Sequence, residues 1–329
     1  MKLRLTLRGF LFFLFGGFCY LFGSVFTLAG LFFDGRYPPL LSQLSNYLLV
    51  YSIVPVLIGI LMVLIDILIL KKNNRVIGYA PVDANEKVTV VLTAYNDELS
   101  ISEAVHDFKD HPRVARVIVV SNNSSDRTME NASRSGAVVF NETRQGYGAC
   151  VYRALSEGMK HEDTRLVLLC EGDSTFKAYD IDKFLAYIPH ADIVNGSRIV
   201  EQLRASGTQL TTFMYYGNFF VGKLLEMKHI ENGTLTDVGT TYKLCRKEVL
   251  KELLPKLNPG VNLEFNPYFL DCALQNNFKI VECPITFHPR VGKSKGGNQN
   301  NFVALKLGLR MILGITVGWK LWHGSEKKP

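Results

Sequence analysis

Two carboxylates one residue apart, Glu171 and Asp173, form the pattern in this sequence that most directly suggests chemistry. They follow residues 166–170, an apolar run with the length of a buried strand. Mg²⁺ and Mn²⁺ prefer carboxylate and phosphate oxygens, and a cation held here can neutralise charge on a departing diphosphate. Because acid pairs also occur by chance, the prediction depends on what lies beside them.

Two more polar segments follow predicted strands. Residues 93–98 come after a strand predicted at 88–92, and residues 121–126 come after one predicted at 114–120. A further strand is predicted at 137–140, with helices at 99–108, 127–135 and 148–160. This alternation predicts an α/β domain with a mostly parallel sheet and covering helices, in which ligands bind at the carboxyl ends of the strands. Strand-end loops are usually polar, but three at one edge favour a binding site.

These loops belong to an ordered set of motifs that spans about residues 87–298. Its members are Thr93–Glu98, Val119–Thr128, Asn141–Leu155, Glu171–Asp173, Asn195–Arg198, Asp237–Lys243 and Glu282–Lys295, the last reading ECPITFHPRVGKSK. The set resembles the family 2 glycosyltransferases of the GT-A fold, and more narrowly the synthases of dolichol- or polyprenyl-phosphate sugars. This resemblance implies a Rossmann-like fold, a UDP- or GDP-linked sugar donor and Mg²⁺ or Mn²⁺ as cofactor.

The resemblance also implies roles for single residues. Glu171 and Asp173 would hold the metal, Asp173, Arg290 and Glu264 would act in catalysis, and Thr93, Tyr95, Asp97, Asn122, Arg144, Arg198 and Lys295 would bind the donor. Arginine binds phosphate through paired hydrogen bonds, which makes Arg290 the first candidate for an anionic group. The amide of Asn122 both donates and accepts, so we expect it at the edge of the base.

Several positions depart from the family pattern. Thr93 replaces a proline, Ser121 and Asn122 replace an acid pair, Glu171 replaces an aspartate, and Thr241 and Lys243 replace a glycine and an arginine. The metal site keeps two acids, whereas the changed loop after the second strand leaves the identity of the nucleotide open.

The N-terminal region contains two apolar runs, residues 9–33 and 47–70, and Asp66 is the only charged residue in the second. Each run is long enough to cross a hydrocarbon core of about 30 Å. Basic residues flank the pair on both outer sides, at Lys2, Arg4, Arg8, Lys71, Lys72 and Arg75. The positive-inside rule therefore predicts an integral protein of the plasma or endoplasmic-reticulum membrane whose catalytic domain faces the cytoplasm.

The chain divides into a predicted two-helix transmembrane anchor at 1–75, a GT-A domain at 76–298 and a C-terminal helix and tail at 299–329. On a helix, Lys306, Arg310 and Lys320 lie within about 80° of one another. A basic stripe on an otherwise apolar helix is typical of an amphipathic helix in the membrane interface. A third membrane span is the alternative.

Composition narrows the classes of function. The chain has 329 residues, of which 47% are hydrophobic, and a net charge of +7. The apolar content excludes bulk disorder, and the positive charge suits an anionic partner. No zinc-finger or helix-turn-helix pattern accompanies the charge, so nucleic acid is not expected. Six scattered cysteines indicate thiols in a reducing compartment.

The sequence thus predicts a membrane-anchored, inverting glycosyltransferase whose acceptor is a polyprenyl phosphate. A phosphate is already anionic near neutral pH, so it needs no strong general base. Transfer to a lipid hydroxyl is one alternative, and Glu264 or Asp271 would then be the candidate base. A sugar-nucleotide-binding subunit without activity is another.

Overall fold

The computed structural model describes residues 5–32, 38–68, 78–83, 85–230, 232–292 and 300–319. The chain forms two compact units, Met1–Arg75 and Val76–Pro329. Lys295, Lys320 and the basic residues predicted to flank the membrane runs, apart from Arg8, lie outside the described residues.

Helices make up the described part of the first unit. Helix α1 is Leu5–Phe32, α2 is Pro39–Tyr51 and α3 is Ile53–Leu68. Pro55 has no N–H to donate back to the preceding turn, which explains why the helix is interrupted at Ser52. Among the described residues, Leu5–Phe32 and Pro39–Leu68 are the candidates for membrane spans by length and composition. The second candidate begins eight residues before the predicted start at residue 47, because Pro39 opens a helix there.

Glycines at every seventh position bring α1 against the other two helices. A Cβ atom on Gly9 would lie 2.6 Å from the carbonyl oxygen of Gly59, and one on Gly16 would lie 2.7 Å from that of Ser52. Gly23 makes a similar approach to the carbonyl of Ser45. The helices therefore pack at backbone distance, as small residues allow in apolar surroundings.

Asp66, the acid within the second candidate span, is bonded to the start of α1. Its carboxylate accepts hydrogen bonds from the backbone N–H of Thr6, at 2.7 Å, and from the Thr6 hydroxyl. The contact assigns Asp66 a structural role.

The second unit is built on a seven-stranded sheet in the order β3-β2-β1-β4-β6-β5-β7. The strands are β1 Val88–Ala94, β2 Val114–Ser121, β3 Val138–Asn141, β4 Leu166–Glu171, β5 Ile193–Ser197, β6 Lys243–Arg246 and β7 Ile280–Pro284. β6 runs antiparallel to both of its neighbours, and the other pairs are parallel. The predicted mostly parallel α/β fold is therefore confirmed.

Eight helices of the described residues cover this sheet or extend from it. They are α4 Ile101–Lys109, α5 Thr128–Arg134, α6 Tyr147–Met159, α7 Ile181–Tyr187, α8 Thr212–Lys228, α9 Lys247–Leu253, α10 Phe265–Gln275 and α11 Asn301–Thr316. β1 is buried along its whole length, as expected for a central strand covered on both faces. α6 begins close to the backbone before α10, since a Cβ atom on Gly148 would lie 1.7 Å from the carbonyl of Val261.

Candidate active site

A cavity of about 620 Å³ opens at the carboxyl edge of the sheet. The register of the sheet brings the ends of three strands to this edge, because Thr93 of β1 is aligned with Val120 of β2 on one side and with Glu171 of β4 on the other. Eight of the residues predicted for the site line the cavity, namely Thr93, Tyr95, Asp97, Asn122, Glu171, Asp173, Arg198 and Arg290. The structure therefore brings together side chains from five separate segments of the sequence.

Arg290 joins two acids at the floor of the cavity. Its Nη1 donates to Asp173 Oδ2 at 2.8 Å, and its Nη2 donates to Asp97 Oδ1 at 2.6 Å. Burial alone would lower the pKa of Arg290, but the charges of Asp173 and Asp97 raise it above its usual value. The guanidinium therefore stays charged and links the loop after β1 to the loop after β4.

Glu171 and Asp173 form a buried acid pair. Burial, and then the charge of Asp173, raises the pKa of Glu171 to about 7, although Thr241 donates to Glu171 Oε1 at 2.5 Å. Asp173 Oδ1 accepts from the backbone N–H and the hydroxyl of Thr175 at 3.1 and 2.6 Å. The charge of Asp173 thus disfavours the carboxylate form of Glu171, a condition that a cation would relieve.

The donor chemistry of this pair fits Mg²⁺ or Mn²⁺. Within the part of the chain that the structure describes, no group of three or more His, Cys, Asp or Glu side chains is arranged to hold a metal. A cation at this site would be held by the two carboxylates of Glu171 and Asp173. Mg²⁺ is usually held by one or two carboxylates together with substrate phosphates and water, so the set present is sufficient.

Arg198 forms part of the cavity wall and is held rigidly by Asp237. Two hydrogen bonds join them, Nε to Oδ2 at 2.7 Å and Nη2 to Oδ1 at 2.8 Å. Burial would raise the pKa of Asp237, but the charge and hydrogen bonds of Arg198 lower it to about 2. Glu282 in β7 accepts from the backbone N–H of Asp237 at 3.0 Å, which anchors the acid in turn.

Asn122 holds the loop that follows β3. Its Nδ2 donates to the carbonyl of Arg144 at 2.9 Å, and its Oδ1 accepts from the N–H of Gly146 at 2.8 Å. The Arg144 side chain is exposed and is not part of the cavity lining. The structure thus gives Asn122 a positioning contact, while base contact by Asn122 and donor contact by Arg144 remain predictions.

Glu264 and Asp271, the candidate bases for a hydroxyl acceptor, lie outside the cavity lining. Glu264 is buried at the start of α10, and Arg310 Nη1 lies 3.4 Å from its carboxylate. Asp271 is fully buried and accepts three hydrogen bonds of 2.6 Å, from Lys228, His229 and Trp319. Its carboxylate is engaged in joining α8, α10 and the segment after α11.

The sequence analysis missed the apolar half of the cavity. α8 contributes Phe213, Met214 and Gly217, and α11 contributes Leu305 and Gly308, among other residues. The segment TFMYYGNFFV at the start of α8 carries a signal, because five aromatic residues in ten are unusual for a surface helix. The family motifs do not include this segment, because it lies between Asn195–Arg198 and Asp237–Lys243.

Comparisons with known proteins agree with this fold. The model of the family "Glycosyl transferase family 2" matches residues 89–254. A dolichyl-phosphate hexose transferase of Haloferax volcanii is 26% identical over 211 residues, covering 64% of this chain and 86% of that protein. Glycosyltransferase AglJ of the same organism is 26% identical over 207 residues, covering 62% of this chain and 64% of that protein. An uncharacterised glycosyltransferase of Mycobacterium tuberculosis is 29% identical over 227 residues, covering 68% and 96%.

Solved structures show the same fold at low sequence identity. Glucosyl-3-phosphoglycerate synthase from M. tuberculosis in complex with Mn²⁺, UDP and phosphoglyceric acid has a TM-score of 0.50 and 16% identity, covering 70% of this chain and 79% of that chain. The complex of the same enzyme with Mg²⁺ and UDP has a TM-score of 0.51 and 14% identity, covering 70% and 80%. These likenesses concern the GT-A fold. With the family match extending over half of its residues, the chain belongs to glycosyl transferase family 2.

Proposed function

We propose that this protein is a membrane-anchored, inverting glycosyltransferase that moves a sugar from a UDP- or GDP-linked donor to a polyprenyl phosphate. One observation carries the proposal: the acids of the strand edge and apolar residues of α8 and α11 line the same cavity, and we call the part lined by the two helices the apolar channel. A donor that is polar throughout does not need the apolar end. A lipid phosphate needs both ends, with its charge near Arg290 and its chain between the helices.

The polar end suits the donor. Thr93, Tyr95 and Asp97 at the end of β1 would contact the nucleoside, and Glu171 and Asp173 would hold the cation on the diphosphate. A bound Mg²⁺ or Mn²⁺ would supply Lewis-acid stabilisation of the departing diphosphate. The names of the relatives support this assignment, since glucosyl-3-phosphoglycerate synthase binds Mn²⁺ or Mg²⁺ with UDP.

The reaction would be an in-line displacement at the anomeric carbon. An oxygen of the acceptor phosphate forms the new bond, the bond between the anomeric carbon and the diphosphate oxygen breaks, and its electron pair leaves with the nucleoside diphosphate. Arg290 would orient the acceptor phosphate by charge-assisted hydrogen bonds. A phosphate acceptor needs no proton removed, which agrees with Glu264 and Asp271 lying outside the cavity lining.

The outer faces of the channel helices support a lipid environment. Tyr216 and Phe219 of α8 are 65% and 37% exposed, Phe302 and Leu313 of α11 are 77% and 38% exposed, and none of the four lines the cavity. Aromatic and aliphatic side chains in these positions, with Lys306 and Arg310 on α11, are typical of helices that lie in a membrane interface. We extend the proposal to an interfacial position for α11, with the catalytic unit on the cytoplasmic side.

The activity is tested on the full chain in detergent or nanodiscs. Radiolabelled UDP- and GDP-sugars are offered with Mn²⁺ or Mg²⁺ and either a polyprenyl phosphate or a lipid with a free hydroxyl. We expect transfer to the phosphate in the presence of a divalent cation. Equal transfer to the hydroxyl lipid would contradict the phosphate acceptor, and nucleotide binding without transfer to any lipid would favour a subunit without activity.

Topology is tested by cysteine labelling from outside the membrane, in a variant whose native cysteines are replaced by alanine. We expect a cysteine placed at Gly35 to react and one placed at Asn85 to be protected. The opposite pattern would place the catalytic unit outside the cytoplasm.

A further inference from the structure

A chain of hydrogen bonds lies beneath the acid pair and ends on Glu171. Lys243 Nζ donates to Asn266 Oδ1 at 3.4 Å, and Asn266 Nδ2 donates to the Tyr147 hydroxyl at 3.0 Å. The Tyr147 and Thr241 hydroxyls lie 2.5 Å apart, and Thr241 donates to Glu171 Oε1 at 2.5 Å. Lys243 and Thr241 are each 1% exposed, so water does not compete for these bonds.

The direction of the chain is fixed at its inner end. Asn266 cannot flip its amide, because Nδ2 also donates to the carbonyl of Gly239 at 3.0 Å while Oδ1 accepts from Lys243. Tyr147 must therefore accept from Asn266, and its single proton points to Thr241. Thr241 in turn has one proton, which it donates to Glu171.

Three of the linked residues are among the positions at which the sequence departs from the family pattern. Glu171 stands in place of an aspartate, Thr241 in place of a glycine and Lys243 in place of an arginine. A glutamate has one more rotatable bond than an aspartate, so its carboxylate needs an additional contact to hold one orientation. A glycine at position 241 could not supply the hydroxyl that makes this contact.

We propose that Thr241, Tyr147, Asn266 and Lys243 are positioning residues that fix the orientation of the Glu171 carboxylate as a ligand of the divalent cation. Thr241 holds Oε1 and leaves Oε2 for the cation. Asp173 needs no such support from this chain, because Thr175 two residues further on already holds its Oδ1. The inference rests on the proposed function, which assigns a cation to the acid pair.

The test measures Mn²⁺ binding to the full chain in detergent, by electron paramagnetic resonance of free Mn²⁺, with UDP or GDP present. Thr241→Val removes the hydroxyl at nearly constant volume and is expected to weaken Mn²⁺ binding by about ten- to a hundredfold, the effect of a lost hydrogen bond to a charged group. Thr241→Ser keeps the hydroxyl and should restore most of the affinity. Tyr147→Phe removes the next link and should weaken binding by about two- to tenfold.

Thr89→Val is the matched control. Thr89 is a fully buried strand threonine whose hydroxyl lies 2.7 Å from that of Thr164, away from the site. The Thr89→Val variant should leave Mn²⁺ affinity unchanged, and the melting temperature of each variant separates unfolding from loss of binding.

Two results would overturn the inference. One is a folded Thr241→Val protein that binds Mn²⁺ as tightly as the wild type, and the other is a folded Thr241→Ser protein that binds Mn²⁺ as weakly as Thr241→Val. Absence of Mn²⁺ binding by the wild type with both nucleotides would instead refute the metal in the proposed function.

Discussion

The two ends of the cavity are built in different ways. The polar end is made of side chains that follow β1, β2 and β4, whose alignment is set by the register of neighbouring parallel strands. The apolar end is made of α8 and α11, which are separated by more than seventy residues and meet through packing. Under the proposed function, the sheet would bind the donor, and the two helices, which meet only through packing, would select the acceptor.

Removing the charge of Asp173 tests the polar end and should have the largest effect. Asp173→Asn deprives the cation of one of two carboxylates, so we expect turnover to fall by about 10³-fold or more, equivalent to about 4 kcal/mol. Asp163→Asn is the control, because Asp163 is an exposed acid paired with Arg116 before β4 begins. Wild-type turnover by Asp173→Asn, measured by transfer of radiolabelled sugar, would contradict the metal assignment.

Arg290 is paired with Asp173 and Asp97 at the polar end. Arg290→Ala should lower kcat/KM for the lipid acceptor by roughly ten- to a hundredfold, because a charge-assisted hydrogen bond contributes about 1.5–3 kcal/mol. Nucleotide affinity, measured by calorimetry, should change far less than the dependence on the acceptor.

Arg165→Ala serves as control for Arg290→Ala, since Arg165 is exposed and pairs with Glu86 at the opposite edge of the sheet. A collapse of nucleotide affinity in Arg290→Ala with unchanged acceptor dependence would move Arg290 to the donor diphosphate and sharpen the division between the two ends.

Filling the apolar end with a larger side chain should raise KM for the acceptor and leave nucleotide affinity unchanged. Gly217 and Gly308 line the cavity, and a Cβ atom on either has no neighbour within 4 Å. The side chain of a leucine at Gly308 would therefore begin in open space at the cavity wall. Gly308→Leu should raise KM for a long polyprenyl phosphate on the order of tenfold, as expected from one or two lost methylene contacts at about 0.8 kcal/mol each.

Gly308→Ala is the graded control, and Gly217→Leu fills the channel from its other wall. Nucleotide affinity should be unchanged in all three variants. An equal rise in KM for the long acceptor and for one with a single prenyl unit would mean that the channel does not hold the lipid chain.

The pH dependence of metal binding should show the smallest effect. Burial and the neighbouring charge of Asp173 raise the pKa of Glu171 to about 7, and only the carboxylate form ligates a cation. Mn²⁺ affinity should therefore rise severalfold between pH 6 and pH 8, and Glu171→Gln should remove this step. The raised pKa of Glu171 also affects folding. Protonated Glu171 adds to the free energy of unfolding at low pH, and this contribution is lost as pH rises from about 4.5 to 7. A Mn²⁺ affinity that is the same at pH 6 and pH 8 would contradict a ligand role for Glu171.

The sequence predicted the polar end because strand ends are local features. Four strands and the loops that follow β1, β2 and β4 could be placed from short apolar runs, and parallel pairing then brought them to one edge. The partners of Arg290 could not be predicted in this way, because Asp173 and Asp97 are 117 and 193 residues away along the chain. β6 has only four residues and no usable periodicity, so its antiparallel insertion between β4 and β5 was not foreseen.

The position of α11 in the sequence has a consequence for biosynthesis. Every other described segment of the cavity wall leaves the ribosome before α11 does. At about 5–20 residues per second, α11 follows the acid pair by a delay on the order of ten seconds. During that interval the nascent chain carries the acid pair but lacks one wall of the cavity. Under the proposed function, ribosome-bound chains stalled before residue 300 should therefore not bind the lipid acceptor, even where they bind the nucleotide.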